Sequence, residues 1–168
     1  MALQKVDVNT LSFNPFQMIG KQWALLGAGD ADKFNMMTVS WGGVGVLWTR
    51  PTVSVYVRES RYTKTFIDNG DTFVLTFLED GHRDVLNTLG SKSGRDMDKM
   101  HDSGLTPVAV EGGVTFAEAE LAFVCRKLYA LDMPAENFIC KDILSQHYAN
   151  GDYHTMYVGE IIGVYKKA

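Results

Sequence analysis

The residues from Asn35 to Gly43 combine small polar side chains with a tryptophan and a glycine pair, in the order Asn-Met-Met-Thr-Val-Ser-Trp-Gly-Gly. Threonine and tryptophan are common in ordinary strands, so a purely structural role is one interpretation. The other is a seat for a flavin, whose ring needs apolar surface at its faces and backbone or hydroxyl groups at its N5, O4 and N3 edge. This stretch is therefore the first candidate for binding a redox cofactor.

A basic turn follows the next predicted strand, with the sequence Arg-Glu-Ser-Arg-Tyr-Thr-Lys at residues 58–64. It lies at the start of a predicted helix, where free backbone N–H groups and the helix dipole favour an anion. Arginine, serine and threonine add charge-assisted hydrogen bonds, so the turn fits a phosphate group. A solvated basic turn is the alternative.

A second cationic segment, residues 91–99, has the sequence Ser-Lys-Ser-Gly-Arg-Asp-Met-Asp-Lys. Its lysines and its arginine could reach an anion from a flexible loop. Its own aspartates could equally satisfy those charges, which would leave an ordinary solvated loop. Both interpretations stand on sequence alone.

Other common catalytic motifs are missing from the sequence. Residues 27–32, Gly-Ala-Gly-Asp-Ala-Asp, begin like a dinucleotide-binding fingerprint but place Asp32 at the third glycine, so a turn between strands explains them better. The chain has no Walker lysine loop, GxSxG elbow or HExxH pair. Its four histidines and two cysteines, Cys125 and Cys140, lack the spacing of a zinc site. We predict neither a catalytic protein side chain nor a metal site.

Most of the predicted secondary structure around these segments consists of short strands. Val53, Val55 and Val57 alternate with more polar residues, the period of a strand with two distinct faces. Predicted strands cover residues 22–26, 36–41, 52–57, 72–77, 117–131 and 155–165. Predicted helices cover residues 62–69 with Ser60 as its cap, a short stretch around residues 85–89, and residues 132–150. The pattern favours a small, mostly antiparallel barrel with peripheral helices.

The bulk properties exclude several function classes. A net charge of -4 and a pI near 5.5 argue against a nucleic-acid partner, which would require a basic face. No apolar run approaches transmembrane length, and residues 1–13 lack the pattern of a signal peptide. We expect one cytoplasmic domain over residues 1–168, with no membrane contact and with both cysteines buried and reduced.

The order of these segments resembles the flavin reductase-like FMN-binding split-barrel family, in particular its flavoredoxin-like branch. The resemblance spans about residues 14 to 165. It is carried in order by the N-x-M-T-x-S-W strand, a P-x-V-x-V-x-V-R-x-S-R-x-T segment from Pro51 to Thr63, the SGRDxDK loop, and the closing strand from Asp152 to Ile161. Arg50 stands where relatives usually have aspartate.

The resemblance implies a mainly β fold with peripheral helices, an antiparallel Greek-key split barrel that binds FMN. In such relatives the first strand lines the flavin ring, and the basic turn holds the phosphate. The implied cofactor-binding residues are Asn35, Thr38, Val39, Ser40 and Trp41 at the ring, Ser60, Arg61 and Thr63 at the phosphate, and Lys99 and His154.

The resemblance also implies a homodimer and a redox function carried by the flavin itself. One expectation is an NAD(P)H-dependent flavin reductase that takes NADH or NADPH as co-substrate. The second is a flavoredoxin-like electron carrier that exchanges electrons with redox-protein partners and does not oxidise nicotinamide. A third is a split-barrel protein that has lost its flavin, and the retained Trp41, Arg61 and Thr63 argue against it.

Overall fold

Ten β-strands and several short helices make up residues 2–168, the part of the chain that the computed structural model describes. Eight strands form one antiparallel sheet in the order β3-β2-β6-β9-β10-β5-β4, with β1 paired to β10, and β7 and β8 form a separate hairpin. The strands are β1 (Leu3–Val6), β2 (Ala24–Gly29), β3 (Phe34–Val39), β4 (Gly42–Leu47), β5 (Arg50–Arg58), β6 (Thr72–Leu78), β7 (Pro107–Val110), β8 (Gly113–Phe116), β9 (Ala119–Asp132) and β10 (His154–Lys167).

The two end strands of the sheet, β3 and β4, are separated in the chain only by Ser40 and Trp41. The ends of the sheet must therefore come close together, so the sheet curls into a barrel that is split at this point. The long strands β9 and β10 bend through irregular pairing at Val158/Gly159. A Cβ at Gly159 would lie 2.6 Å from the Phe73 ring, so only glycine lets β10 pass this close to the core.

The barrel interior is filled by the inward faces of the strands. Val53, Val55 and Val57 of β5 are fully buried, as their alternation predicts, and they share one cluster with Phe73 and Phe123. Burying each of these side chains contributes about 1.5–3 kcal/mol. Because the valines face the core, the residues that alternate with them lie on the opposite face of β5.

The helices lie outside the barrel. Ile67 anchors α2 on the main core, while Leu86 and Leu89 anchor α3 against Met36 of β3 in a second cluster. The helices are α1 (Pro15–Gln17), α2 (Tyr62–Asn69), α3 (Arg83–Ser91), α4 (Lys99–Asp102) and α5 (Asp142–His147), with 3-10 turns at Val8–Thr10 and Ala135–Asn137 and a π-helical turn at Met18–Gln22. Helices α2 and α3 thus flank β3.

The prediction of a mainly β, antiparallel split barrel with peripheral helices is confirmed. The helix over residues 62–69 is found with the same bounds. The single domain over residues 1–168 stays a prediction, and Met1 lies outside the described residues. No helix within residues 2–168 is long and apolar enough to cross a membrane.

Three local predictions are wrong. The continuous helix over residues 132–150 is not found: Asp132 is the last residue of β9, and a 3-10 turn and the short α5 follow it. Ile139, expected on the apolar face of that helix, is 99% exposed. Ser60 does not cap α2, since the N-cap is Arg61 and no side chain caps the helix there. Of the two cysteines, Cys125 is buried and Cys140 is exposed.

Candidate functional site

A pocket of about 210 Å³ opens beside the connection between β3 and β4, where the barrel is split. We call it the β3–β5 pocket, because residues 37–41 form one side of it, and Tyr56 and Arg58 of β5 contribute to its lining. Six of the ten predicted cofactor residues line it: Thr38, Val39, Ser40, Trp41, Arg61 and His154. The structure therefore brings together segments that lie more than a hundred residues apart in the chain.

Strand pairing explains this convergence. Antiparallel pairing of β10 with β5 places His154 directly opposite Arg58. Pairing of β4 with β5 places Gly42 opposite Val55, which brings the preceding Trp41 towards the same end of β5. The Trp41 ring packs 5.3 Å from the His154 ring, centroid to centroid.

Arg61 carries the strongest electrostatic feature of the pocket. Its Nη1 donates a hydrogen bond to the Gly90 carbonyl oxygen at 2.6 Å, whereas Nη2 is buried and has no hydrogen-bond partner among residues 2–168. Burial lowers the pKa of this guanidinium; the nearby carboxylate of Asp152 opposes that shift, and the positive charge of Arg58 adds to it. An unpaired, buried charged donor is costly, so this end of the pocket is suited to an anion such as a phosphate.

Asn35 and Thr63 form a buried pair next to the pocket and are not part of its lining. The Asn35 side-chain amide donates to the Thr63 hydroxyl oxygen at 2.8 Å, and both residues are buried. A Cβ at Gly94 would lie only 2.1 Å from Asn35 Oδ1, so the glycine lets the 91–99 loop close over this pair. The two predicted site residues therefore tie β3 to the start of α2.

Lys99 is 4% exposed and lies behind β3. Its Nζ donates to the carbonyl oxygens of Met36 at 3.0 Å and Leu89 at 2.7 Å. Burial, and then the charge of Arg61, lower the pKa of Lys99 to about 8. An ammonium group has three donors, so one N–H remains beyond these two carbonyls. Lys99 thus places a positive charge close to the site while holding β3 against α3.

Ser60 is engaged with a carboxylate. Its backbone N–H and its hydroxyl donate to the two side-chain oxygens of Asp152, at 3.1 and 2.6 Å. Arg58 fixes the same loop, because its guanidinium donates to the carbonyl oxygens of Asp152 and His147 at 2.5 and 3.0 Å. The structure therefore uses Ser60 to anchor the loop before β10, and its phosphate contact stays a prediction.

His154 is held by a tyrosine that sequence reasoning missed. The Tyr148 hydroxyl lies 2.7 Å from His154 Nδ1, and both side chains are buried. Burial, followed by the charge of Arg58, lowers the pKa of His154 to about 4. The ring is therefore neutral at pH 7. If the tyrosine donates its only proton to Nδ1, Nε2 carries the hydrogen and is the donor that this ring can offer to a ligand.

Thr38 uses its side chain for packing. Its hydroxyl donates to the Leu86 carbonyl oxygen of α3 at 2.5 Å, so the polar groups on this side of the pocket are the backbone of residues 38–41 and the hydroxyl of Ser40. Tyr56 was missed although it had a usable signal, since the period of β5 puts it, with Arg58 of the predicted basic turn, on the face opposite the buried valines. Asp152 begins the closing motif, but its contact with Ser60, like the position of Tyr148, depends on how β10 pairs.

Larger cavities lie outside the β3–β5 pocket. One of about 480 Å³ is lined by Asn35, Lys99 and the 94–98 loop, and another, of about 670 Å³, follows the side of α2. The β3–β5 pocket remains the better candidate for redox chemistry, because six of the ten predicted cofactor residues line it, whereas the 480 Å³ cavity is lined by two of them. No group of three or more possible metal ligands occurs among residues 2–168.

Comparison with known proteins groups this chain with flavin proteins. The family model described as flavin reductase like domain matches residues 16–168. The flavoredoxin structure from Methanosarcina acetivorans is 25% identical, with a TM-score of 0.69 over 98% of this chain and 76% of that one. No curated protein matched in a sequence search.

Two further structures share the fold at lower identity. An FMN-binding protein from Thermus thermophilus with bound p-hydroxybenzaldehyde is 18% identical, with a TM-score of 0.69 over 98% of this chain and 82% of that one. An NADH:FAD oxidoreductase from Streptomyces globisporus C-1027 is 18% identical, with a TM-score of 0.66 over 87% of this chain and 75% of that one.

Proposed function

This chain belongs to the flavin reductase-like domain family, and on that premise we propose that it binds FMN with the flavin ring in the β3–β5 pocket. The observation that carries the proposal is the buried, unpartnered Nη2 of Arg61 at a pocket whose other side is the 37–41 stretch. A phosphate would satisfy that donor, and the flavin ring would lie along the backbone of the stretch.

The chain's own residues would bind and orient the cofactor. Arg61 would hold the phosphate, and the packed Asn35–Thr63 pair would keep α2 and β3 in register beneath it. His154 would offer an Nε2–H donor in a neutral ring, and Lys99 would place positive charge behind β3. Positive charge near a flavin favours its reduced, anionic form.

We propose that the bound flavin is reduced by NADH or NADPH, which makes the protein a flavin reductase-like oxidoreductase. A bound flavin supplies hydride acceptance and electron transfer without a protein acid, base or nucleophile. A flavoredoxin-like carrier, which exchanges electrons with redox-protein partners, is the second candidate. It is favoured by the 25% identity to a flavoredoxin.

A homodimer is part of the same proposal. The β3–β5 pocket, at about 210 Å³, is smaller than the roughly 300–1,000 Å³ of typical small-molecule sites. Exposed apolar side chains form what we call the β4–β9 patch: Val46, Leu47, Trp48, Tyr129 and Leu131. Trp48 and Tyr129 are in edge contact at 6.2 Å, so the two strands present one surface. A second copy of the chain would bury this apolar patch.

Anaerobic mixing of the FMN-loaded protein with NADH or NADPH separates the two candidate functions. A reductase is expected to lose its flavin absorbance with at least one of the two nicotinamides. If the flavin stays oxidised with both, while a reduced donor protein bleaches it, the reductase proposal is wrong and the carrier proposal stands.

A further inference from the structure

Tyr148 makes the one hydrogen bond that the His154 ring forms within residues 2–168. The distance from the tyrosine hydroxyl to Nδ1 is 2.7 Å, and both side chains are buried. Burial, followed by the charge of Arg58, holds the pKa of His154 at about 4, so the ring is neutral at pH 7 and carries a single proton. That proton lies on Nδ1 or on Nε2, and the hydrogen bond at Nδ1 decides between them.

We propose that Tyr148 is a positioning residue of the β3–β5 pocket: its hydroxyl donates to Nδ1 of His154 and holds the ring in the tautomer that presents an Nε2–H donor to the pocket. The tautomer is a property of the protein alone, whereas its role toward a bound flavin rests on the proposed function. Tyr148 does not itself line the pocket, so it acts through the histidine.

The direction of this hydrogen bond follows from the partners that each group has. A tyrosine hydroxyl has one proton to donate, and the Tyr148 hydroxyl meets no partner other than His154 within residues 2–168. If Nδ1–H donated to the hydroxyl oxygen, the tyrosine proton would be buried without an acceptor, which is costly. With the tyrosine as the donor, that proton is paired and the ring proton lies on Nε2.

Nε2 can use its proton only on a group that enters the pocket. It makes no hydrogen bond within residues 2–168, and the only buried side-chain nitrogen or oxygen that lacks a partner there is Nη2 of Arg61. Nε2 is therefore accessible, and His154 lines the β3–β5 pocket together with Ser40 and Trp41. A neutral N–H donor in this place suits a ligand atom that accepts a hydrogen bond, such as a carbonyl oxygen or a ring nitrogen of a flavin.

Aromatic and cationic neighbours hold the Tyr148 ring in place. The Tyr153 ring stacks on it and the Phe138 ring packs against it, each with its centroid at 5.2 Å. The Arg58 guanidinium lies 5.1 Å from the centre of the same ring. Burial raises the pKa of Tyr148, and the charge of Arg58 only opposes that shift, so the hydroxyl keeps its proton at neutral pH. The loop before β10 thus presents a fixed donor to His154.

Nitrogen-15 NMR of the histidine rings in the flavin-free protein tests the tautomer, with His154→Phe to assign the His154 signals. At pH 7 we expect Nδ1 to show the shift of an unprotonated nitrogen and Nε2 that of a protonated one. Tyr148→Phe removes only the hydroxyl, so the signals should move towards the averaged shifts of two exchanging tautomers. Tyr165→Phe, at the other end of β10, is the matched control and should leave them unchanged. A wild-type proton on Nδ1, or unchanged His154 signals in Tyr148→Phe, would overturn the proposal.

Fluorescence titrations of FMN into the wild type, the two single variants and the double variant test whether Tyr148 acts through His154. We expect Tyr148→Phe to weaken FMN binding roughly two- to tenfold, the range for one hydrogen bond between uncharged groups. In the His154→Phe background the same change should cause no further loss, because no imidazole is left to position.

Additive losses would mean that Tyr148 supports the pocket without His154, and would overturn the positioning role while the flavin proposal stands. If the wild type itself binds no FMN, the flavin proposal fails instead. The nitrogen shifts of the flavin-free protein then decide alone whether Tyr148 sets the tautomer.

Discussion

Replacing Arg61 with methionine tests the proposed phosphate contact directly. Methionine keeps an unbranched apolar side chain of similar length, so the pocket stays filled while every donor is lost. Nη1 of Arg61 already donates a hydrogen bond to the Gly90 carbonyl oxygen. We therefore assign one hydrogen bond to the cofactor phosphate, from the buried Nη2 that has no partner among residues 2–168. One hydrogen bond between charged groups contributes about 1.5–3 kcal/mol. FMN affinity is therefore expected to fall about 10- to 150-fold.

The assay is a fluorescence titration of wild type and variant with FMN and, in parallel, with riboflavin. Riboflavin has the same ring and no phosphate, so its affinity is expected to be nearly unchanged in Arg61→Met. Arg126→Met is the matched control, because Arg126 is paired with Glu160 on the surface of β9, outside the β3–β5 pocket. It should leave both affinities at the wild-type value.

Two results would rule out a phosphate contact at Arg61. An equal loss for FMN and riboflavin would mean that Arg61 contacts the ring or supports the fold, with the phosphate elsewhere. Unchanged FMN affinity would move the phosphate away from Arg61, most directly to the cationic loop at residues 92–99. Thermal unfolding of each variant without flavin separates loss of binding from loss of fold.

Three further predictions concern proton binding, packing and assembly. Burial lowers the pKa of His154 from 6.5 to about 4, so between these pH values the unfolded chain binds more protons than the folded one. The free energy of unfolding should therefore rise with pH across this window by on the order of 3 kcal/mol. In urea unfolding, His154→Gln should show a shallower rise with pH than wild type, and an equal rise would contradict the burial argument. Gly94→Ala should lower the free energy of unfolding by about 1–3 kcal/mol and weaken FMN binding, because its Cβ would meet Asn35. Gly20→Ala should cost much less, since a Cβ there meets no atom within 4 Å. Equal losses of stability in calorimetry would argue against close packing of the 91–99 loop over β3. Trp48→Glu should convert the proposed dimer to monomers, as measured by light scattering. Ile139→Glu changes an exposed apolar side chain outside the β4–β9 patch and should leave the dimer intact. A dimer that survives Trp48→Glu would place the interface elsewhere.

Local patterns in the sequence were sufficient to predict the elements whose burial follows from periodicity. The valines of β5 are buried as their alternation requires, and α2 ends at the Asn-Gly pair that signals its stop. The helix predicted over residues 132–150 fails for a physical reason. The ring of Phe138 packs against Tyr148, whereas Ile139 is exposed to solvent, so the apolar residues of the predicted helix are not buried together. A hydrophobic pattern cannot distinguish these two outcomes.

The candidate site was predictable where its residues are close in sequence. The 37–41 stretch and Arg61 line one pocket, as the motifs suggested. The partners from the loop before β10 were not predictable, because the loop reaches the pocket only through the pairing of β5 with β10. Tyr148 and Asp152 acquire their roles from that pairing and from hydrogen bonds that no local motif encodes.

The absorption spectrum of the purified protein, before and after incubation with FMN and gel filtration, shows whether this chain holds a flavin in the β3–β5 pocket. We expect flavin absorption bands to elute with the protein at one FMN per chain and to be absent from Arg61→Met on the same column. A colourless protein that leaves the fluorescence of micromolar FMN unchanged would contradict it.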